Sequence, residues 1–368
     1  MKKCITPRRE TTTSSSKATI GLDLGDKSHA FCILDAEGRI VKQGTFSSTA
    51  SALNRFFAKR QACVVAMEAG THSPWISRFL QSQGHEVLVG NPRKLKMIYA
   101  STEKSDERDA EMLARIARVD PRLLSPVHHR GRRAQSHLAI VKSRDQLVGV
   151  RTGLINHARG MVKAVGERLP SCSADYFDKK VREAIPSDLR PALAPILETI
   201  RDLTDRIKAM DRRIETLCEE EYPETEKLRG IRGVGPITSL AFVLTLEEKS
   251  RFRRSRSVPA YLGLTPRRDQ SGEVDKQLRI TKAGDQYLRR LLISCAHYIL
   301  GPFGEESDLR SFGQRLCDRG GKNAKKRATV AVARKLAVVM HALWVQDVEY
   351  EAFHASSGAA GLGRRSVA

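Results

Sequence analysis

Short apolar runs bounded by turn residues at 18–24 (ATIGLDL), 29–35 (HAFCILD) and 39–46 (RIVKQGTF) predict three strands near the start of the chain. Asp35-Ala36-Glu37-Gly38 has the turn chemistry to join the last two as a hairpin. A helix is expected over residues 50–60, a strand over 62–68, a helix around 74–83 and a strand over 85–89. Strands that alternate with helices are the mark of an α/β layer.

From about residue 134 the period changes. Leu138, Val141, Val148, Ile155, Ala158, Val162, Val165 and Leu169 fall on a seven-residue repeat interrupted by Asp145. Ile196, Ile200, Leu203, Ile207, Met210, Ile214 and Leu217 mark a second long helix, and the stretch between the two holds Pro170, Pro186 and Pro191. Two long helices folded back as an antiparallel hairpin is the simplest arrangement, and pairing of the seam with a second chain is the alternative. Arg144, Arg151, Arg159, Lys163, Arg201, Arg206, Lys208, Arg212 and Arg213 are expected on its outer face. A third, mostly helical region with Gly-rich turns begins near Glu226 and ends in a basic helix over about 323–345.

The chain is therefore expected to be α/β plus α. Residues 1–17 read as a disordered basic tail, 18–130 as an α/β domain and 131–222 as a helical hairpin or coiled coil. Residues 223–348 read as a mostly helical C-terminal domain and 349–368 as a flexible tail.

Charge narrows the function. The 64 Lys and Arg against 42 Asp and Glu give a formal charge of +22. A polyphosphate backbone is the natural counter-ion of such a surface, although ribosome-associated and membrane-surface proteins share the bias. The seven cysteines are scattered and never spaced as a zinc site, so they read as reduced thiols of a cytosolic protein. No signal-peptide core follows the basic start and no run of eighteen apolar residues occurs, so no membrane partner is expected.

Three constellations carry candidate chemistry. Asp23 lies inside the first apolar strand, Glu68 ends a later one, and Asp106 and Asp109 lie three apart at the start of a helix in KSDERDAEML. An i, i+3 pair shares one helix face. Clustered carboxylates supply the hard oxygen ligands that Mg²⁺ or Mn²⁺ prefer. Acidic residues at a helix start also serve its dipole and free N–H groups, which leaves capping open for Asp106 and Asp109. Asp23, between Leu22 and Leu24, is costly to bury without a partner or a metal. The second constellation is EKLRGIRGVGPITSLAF, in which Gly233 and Gly235 flank one apolar residue between helical stretches. A tight turn there resembles the helix-hairpin-helix motif that offers backbone N–H groups to DNA phosphates. The third is residues 261–293, where Ser271 sits in a polar loop with Arg267, Arg268, Lys276, Arg279, Lys282, Arg289 and Arg290 nearby. Cations of this kind can hold a scissile phosphate beside an attacking oxygen, whereas a loop serine by itself is most often a turn residue.

The segments IGLDLGDKSH, AMEAGTHSPW, KSDERDAEMLA, LRGIRGVGPITS and YLGLTPRRDQSG…RITKAGDQYLRRLL follow one another in this order. In this the chain resembles the DEDD transposases of bacterial insertion sequences, the IS110 group with its IS1111 branch, and the related Piv-type DNA invertases. The resemblance spans residues 18 to about 345. It implies an N-terminal RuvC-like domain with an RNase H type sheet, whose metal-binding carboxylates fall on Asp23, Glu68, Asp106 and Asp109. It implies a C-terminal serine that attacks DNA, matched at Ser271, although Glu273 stands where many relatives have a second glycine after Ser-Gly. It further implies a homo-oligomer, dimer or tetramer, that pairs one chain's carboxylates with another's serine. Its partners are the DNA of element ends and target, and a structured guide RNA encoded by the element. A bacterial, cytoplasmic and nucleoid-associated protein is expected, in which the helical hairpin serves assembly or holds the RNA.

Three rivals separate cleanly. A RuvC-like junction nuclease would use the same carboxylates with water as nucleophile, and Ser271 would be replaceable. A sugar kinase or actin-like ATPase shares the IGLDLGDKS hairpin but needs a second nucleotide-binding half, which the sequence lacks. A helix-hairpin-helix binding protein without catalysis would leave Asp23 unexplained.

Overall fold

The computed structural model describes residues 18–95, 105–271 and 274–353. The expected tail 1–17 and all but the start of the tail at 349–368 lie outside the described residues, as do Gly272 and Glu273 beside the candidate serine. The chain forms two compact units that divide after Arg130.

The first unit is a five-stranded mixed sheet with helices. Its strands β1 (Thr19–Leu24), β2 (Ser28–Leu34), β3 (Ile40–Ser47), β4 (Val64–Glu68) and β5 (Glu86–Gly90) lie in the order β3-β2-β1-β4-β5. β1, β2 and β3 are antiparallel, while β1, β4 and β5 run parallel. The β2–β3 turn is held by the Asp35 carboxylate, which accepts from the backbone N–H groups of Glu37 and Arg39. Gly38 closes it at φ +84°, a conformation that a side chain would strain. Helix α1 (Ala50–Phe57), capped by the Thr49 hydroxyl, and helix α2 (Ser73–Ser82), with Pro74 in its first turn, contribute to the core on one face. Ile20, Leu22, Phe31, Val65 and Met67 meet Leu53, Phe57, Ile76 and Leu80 there. Helix α3 (Asp106–Val119) takes the other face, where Ala110 and Ala114 pack on Ala30, Cys32 and Leu34, and Leu113 and Ala117 pack on Ala66.

The second unit begins with the long helix α4 (Arg132–Ala164). After the short helix α5 (Phe177–Val181) the chain returns along α6 (Arg190–Glu220). Arg144 pairs with Asp211 and Arg151 with Thr204, so the two long helices are antiparallel. Their far end closes a core of Ala158, Val162, Phe177, Val181, Leu193, Leu197 and Ile200. Their near end joins a larger core with α7 (Glu224–Arg229), α8 (Pro236–Leu246), α9 (Val258–Tyr261), α10 (Gln286–Leu300), α11 (Asp308–Asp318) and α12 (Ala324–Gln346). Helix α12 is long and apolar enough to cross a membrane, but Val332, Leu336, Met340 and Leu343 are buried in this core.

Three features differ from the sequence reading, the first being Arg289, which is expected beside a bound phosphate but is 8% exposed and donates to Leu262 O and Ala283 O. Arg151 is not on the outer face: it is 7% exposed and donates to the Asp175 carboxylate and the Thr204 hydroxyl. Apolar periodicity cannot identify a buried guanidinium whose partners lie 24 and 53 positions away. Ser271 ends a strand rather than lying in an open loop, since β6 (Pro266–Ser271) and β7 (Val274–Ile280) form an antiparallel hairpin with Ser271 opposite Val274.

Candidate active site

In the first unit, local register decides where the carboxylates stand. β1 and β4 are parallel with Leu22 opposite Met67, which makes Asp23 and Glu68 the next positions along adjacent strands. Leu22 and Met67 point into the core shared with α1 and α2, and strand side chains alternate, so Asp23 and Glu68 share the face that α3 covers. On that face Gly21 lets α3 come close: a Cβ there would sit 1.9 Å from the Ala110 carbonyl oxygen and 2.7 Å from the Ala114 nitrogen. The far end of α3 is fixed at the β2–β3 turn, where Arg118 donates to Ala36 O and Arg115 to Gly38 O. That turn lies beyond the start of β1, because Thr19 pairs with Leu34. The N-terminus of α3 is therefore directed to the end of β1 that carries Asp23.

Ser105 caps α3 by accepting from Arg108 N–H, and Asp106, Glu107 and Asp109 occupy its first turn. Asp23, Glu68 and Asp109 are half-buried and Asp106 is exposed. Elements carrying all four thus share one end of the sheet, with carboxylate donors of the kind a hard divalent ion takes. Among the described residues, no three His, Cys, Asp or Glu side chains are gathered closely enough to hold a metal ion.

His29, opposite Leu24 on the other face, is fully buried, and neither ring nitrogen meets a well-placed hydrogen-bond partner among the described residues. Burial first, and His72 second, lower its pKa, against an opposing contribution from the Gly25 backbone.

In the second unit, Arg267, Arg268 and Ser271 are exposed on β6, as are Arg279 on β7 and Lys282 beyond it. The base of this hairpin is clamped. Gly263 (φ +69°) and Gly284 (φ +71°) cross so closely that a Cβ on Gly284 would lie 1.9 Å from Tyr261 O. Lys282 N–H donates to Gly263 O, and the buried Arg289 guanidinium donates to both Leu262 O and Ala283 O. Arg289 thus braces the root of the hairpin, while Arg290 is half exposed and pairs with Asp145. Asp285 caps α10 by accepting from Leu288 N–H. In the Gly-rich turn between α7 and α8, Gly233 has φ +93° and a Cβ on it would strike Tyr298 at 2.7 Å. Gly235 is the N-cap of α8, with open space where its side chain would be.

Two family models match this chain. An IS110-type DEDD model described as a transposase covers residues 20–166, and one described as "Transposase IS116/IS110/IS902 family" covers 225–306. The chain belongs to the IS110 family of transposases. Its relatives include a probable family 20 transposase of Pseudomonas aeruginosa, 28% identical over 90% of this chain and 98% of that one. The transposase for insertion sequence element IS1111A of Coxiella burnetii is 28% identical over 90% of each chain. A pilin gene-inverting protein of Moraxella bovis is 23% identical over 91% and 98%.

This transposase is a DNA-cutting enzyme. The matched stretches contain the four carboxylates in one case and Ser271 with the basic hairpin in the other. Three glycines that position the elements of the candidate site escaped sequence reasoning: Gly21, Gly263 and Gly284. Each is defined by a contact with backbone distant in sequence, and a lone glycine carries no signal of that.

Proposed function

We propose that this transposase cuts and rejoins the DNA strands of an insertion sequence through a covalent phosphoserine link to Ser271. The observation that carries this reading is the joint match of the two family models, one holding Asp23, Glu68, Asp106 and Asp109 and the other Ser271. The order of the five-stranded sheet supports a RuvC-like first domain, and the Gly233–Gly235 turn between α7 and α8 supports a helix-hairpin-helix that grips phosphates through backbone N–H groups.

In the first step the Ser271 hydroxyl oxygen attacks a DNA phosphorus. A serine–phosphorus ester forms, the bond from phosphorus to a deoxyribose oxygen breaks, and the departing oxygen takes up a proton in place of the one the serine gives up. Attack by a DNA hydroxyl on the ester reverses these changes and rejoins the strand. Arg267, Arg268, Arg279, Lys282 and Arg290 offset the charge on the phosphate, and Arg289 holds the hairpin that carries the serine. Asp23, Glu68, Asp106 and Asp109, once drawn closer together than they stand here, would hold Mg²⁺ or Mn²⁺, which when bound would polarise the phosphate and neutralise its charge. A structured guide RNA selects the DNA, a homo-oligomer unites the two sites, and the protein works on nucleoid DNA in the bacterial cytoplasm.

Asp23→Ala tests the carboxylate half of the proposal. With the element's DNA ends, its RNA and Mg²⁺, strand exchange should be lost while the variant still folds, because Asp23 is only half-buried at the end of β1. Strand exchange at the wild-type rate would refute it.

A further inference from the structure

The face of the sheet opposite the candidate carboxylates carries a groove of about 540 Å³, within the range of small-ligand sites. Lys42, Gly44 and Phe46 of the edge strand β3 form one wall, and Arg55, Phe56 and Lys59, on and just after α1, form the other. Gly44 lies over the buried Phe31 ring, where a Cβ would come into ordinary contact at 3.5 Å. Phe46 and Phe56 are stacked with centroids 4.6 Å apart and planes 16° from parallel. The Arg60 guanidinium lies over the Phe56 ring, 4.3 Å from its centroid, anchored by donation to Phe56 O.

The lining holds four cations and no carboxylate. Lys42, Arg55 and Lys59 are exposed, and among the described residues none of them forms an ion pair. Like charges gathered beside aromatic rings without acidic partners are poorly explained by folding, because they repel one another and leave apolar surface wet. They do match a ligand with a flat apolar ring and an attached phosphate. An unpaired nucleotide has both: its base packs on an aromatic or guanidinium face while the cations follow the backbone. A duplex hides its base faces and fits only the cations.

We propose that this groove is a binding site for an unpaired segment of single-stranded DNA, such as a strand displaced while the element's ends are opened. The site goes beyond the serine chemistry and is separable from it, since Ser271 is not among the residues that line the groove.

The test uses the full chain and a single-stranded DNA octamer containing 5-iododeoxyuridine, cross-linked by near-ultraviolet light and mapped by mass spectrometry. Cross-links are expected on peptides carrying Phe46 or Phe56. They should fall at least tenfold in a Lys42→Ser, Arg55→Ser, Lys59→Ser triple variant, while cross-links on peptides of residues 131–353 persist. The unlabelled octamer should compete at least tenfold better than its duplex. Absence of cross-links at both phenylalanines, an unchanged yield in the triple variant, or competition by an RNA octamer of the same sequence and not by the unlabelled DNA octamer would overturn the proposal.

Discussion

A Cβ placed on Gly21 would lie 1.9 Å from the Ala110 carbonyl oxygen, so the first strand and α3 touch backbone to backbone. This contact sets how far the start of α3 stands from the end of β1. Gly21→Ala should force the two apart and cost about 1–3 kcal/mol, the usual range for overpacking. Strand exchange should drop more than tenfold even at temperatures where the variant is fully folded. Thermal unfolding by circular dichroism beside a strand-exchange assay measures both, and wild-type values in both would show that the spacing is unimportant.

Arg151 shows how a polar residue joins the helical pair. Its guanidinium is buried between α4 and α6 and reaches Thr204 and the half-exposed Asp175. Arg151→Ala should destabilise the second unit by about 1–3 kcal/mol, the loss expected for a charge-assisted hydrogen bond. Arg151→Met, which keeps the apolar stem, should lose less. Denaturant titration of the two variants checks the order, and equal losses would contradict it.

The first unit should weaken in mild acid. Burial is the leading cause that lowers the pKa of His29, His85 and His129; His72 adds to it at His29, Arg60 at His85, and Arg78, His128 and Arg130 at His129. Each is lower when folded than its unfolded value of 6.5. Between the two values the unfolded chain binds more protons, so stability falls as pH drops below about 6.5 and levels off below the folded value. Melting temperatures between pH 8 and pH 5 should show this decline, and His129→Gln, which loses the titrating ring bonded to the Ser73 hydroxyl, should make it shallower. A melting temperature that rises toward pH 5 would contradict the assignment.

Much of this architecture is legible in the sequence. The strands around Asp23 and Glu68 stand out because they are apolar and bounded by turns, and α3 is marked by its Ser105 cap and acidic first turn. The β6–β7 hairpin is not legible, because PRRDQS and VDKQLRI have almost no apolar alternation and are strands only through pairing with each other. Arg151 is misread for a related reason: charge predicts exposure, and only the fold shows that Thr204 and Asp175 stand within its reach. The carboxylates can be named from their motifs, but only the β1–β4 register and the approach of α3 at Gly21 show that the elements carrying them share one end of the sheet.

The central claim is that Ser271 becomes covalently joined to DNA. The deciding measurement is a denaturing gel of the full chain incubated with labelled element ends, the element's RNA and Mg²⁺, run beside Ser271→Ala. The account predicts a protease-sensitive DNA-linked band in the wild type that is missing in Ser271→Ala, with DNA and RNA binding nearly unchanged. A band that persists in Ser271→Ala, or an adduct that maps to another serine such as Ser257, would contradict it.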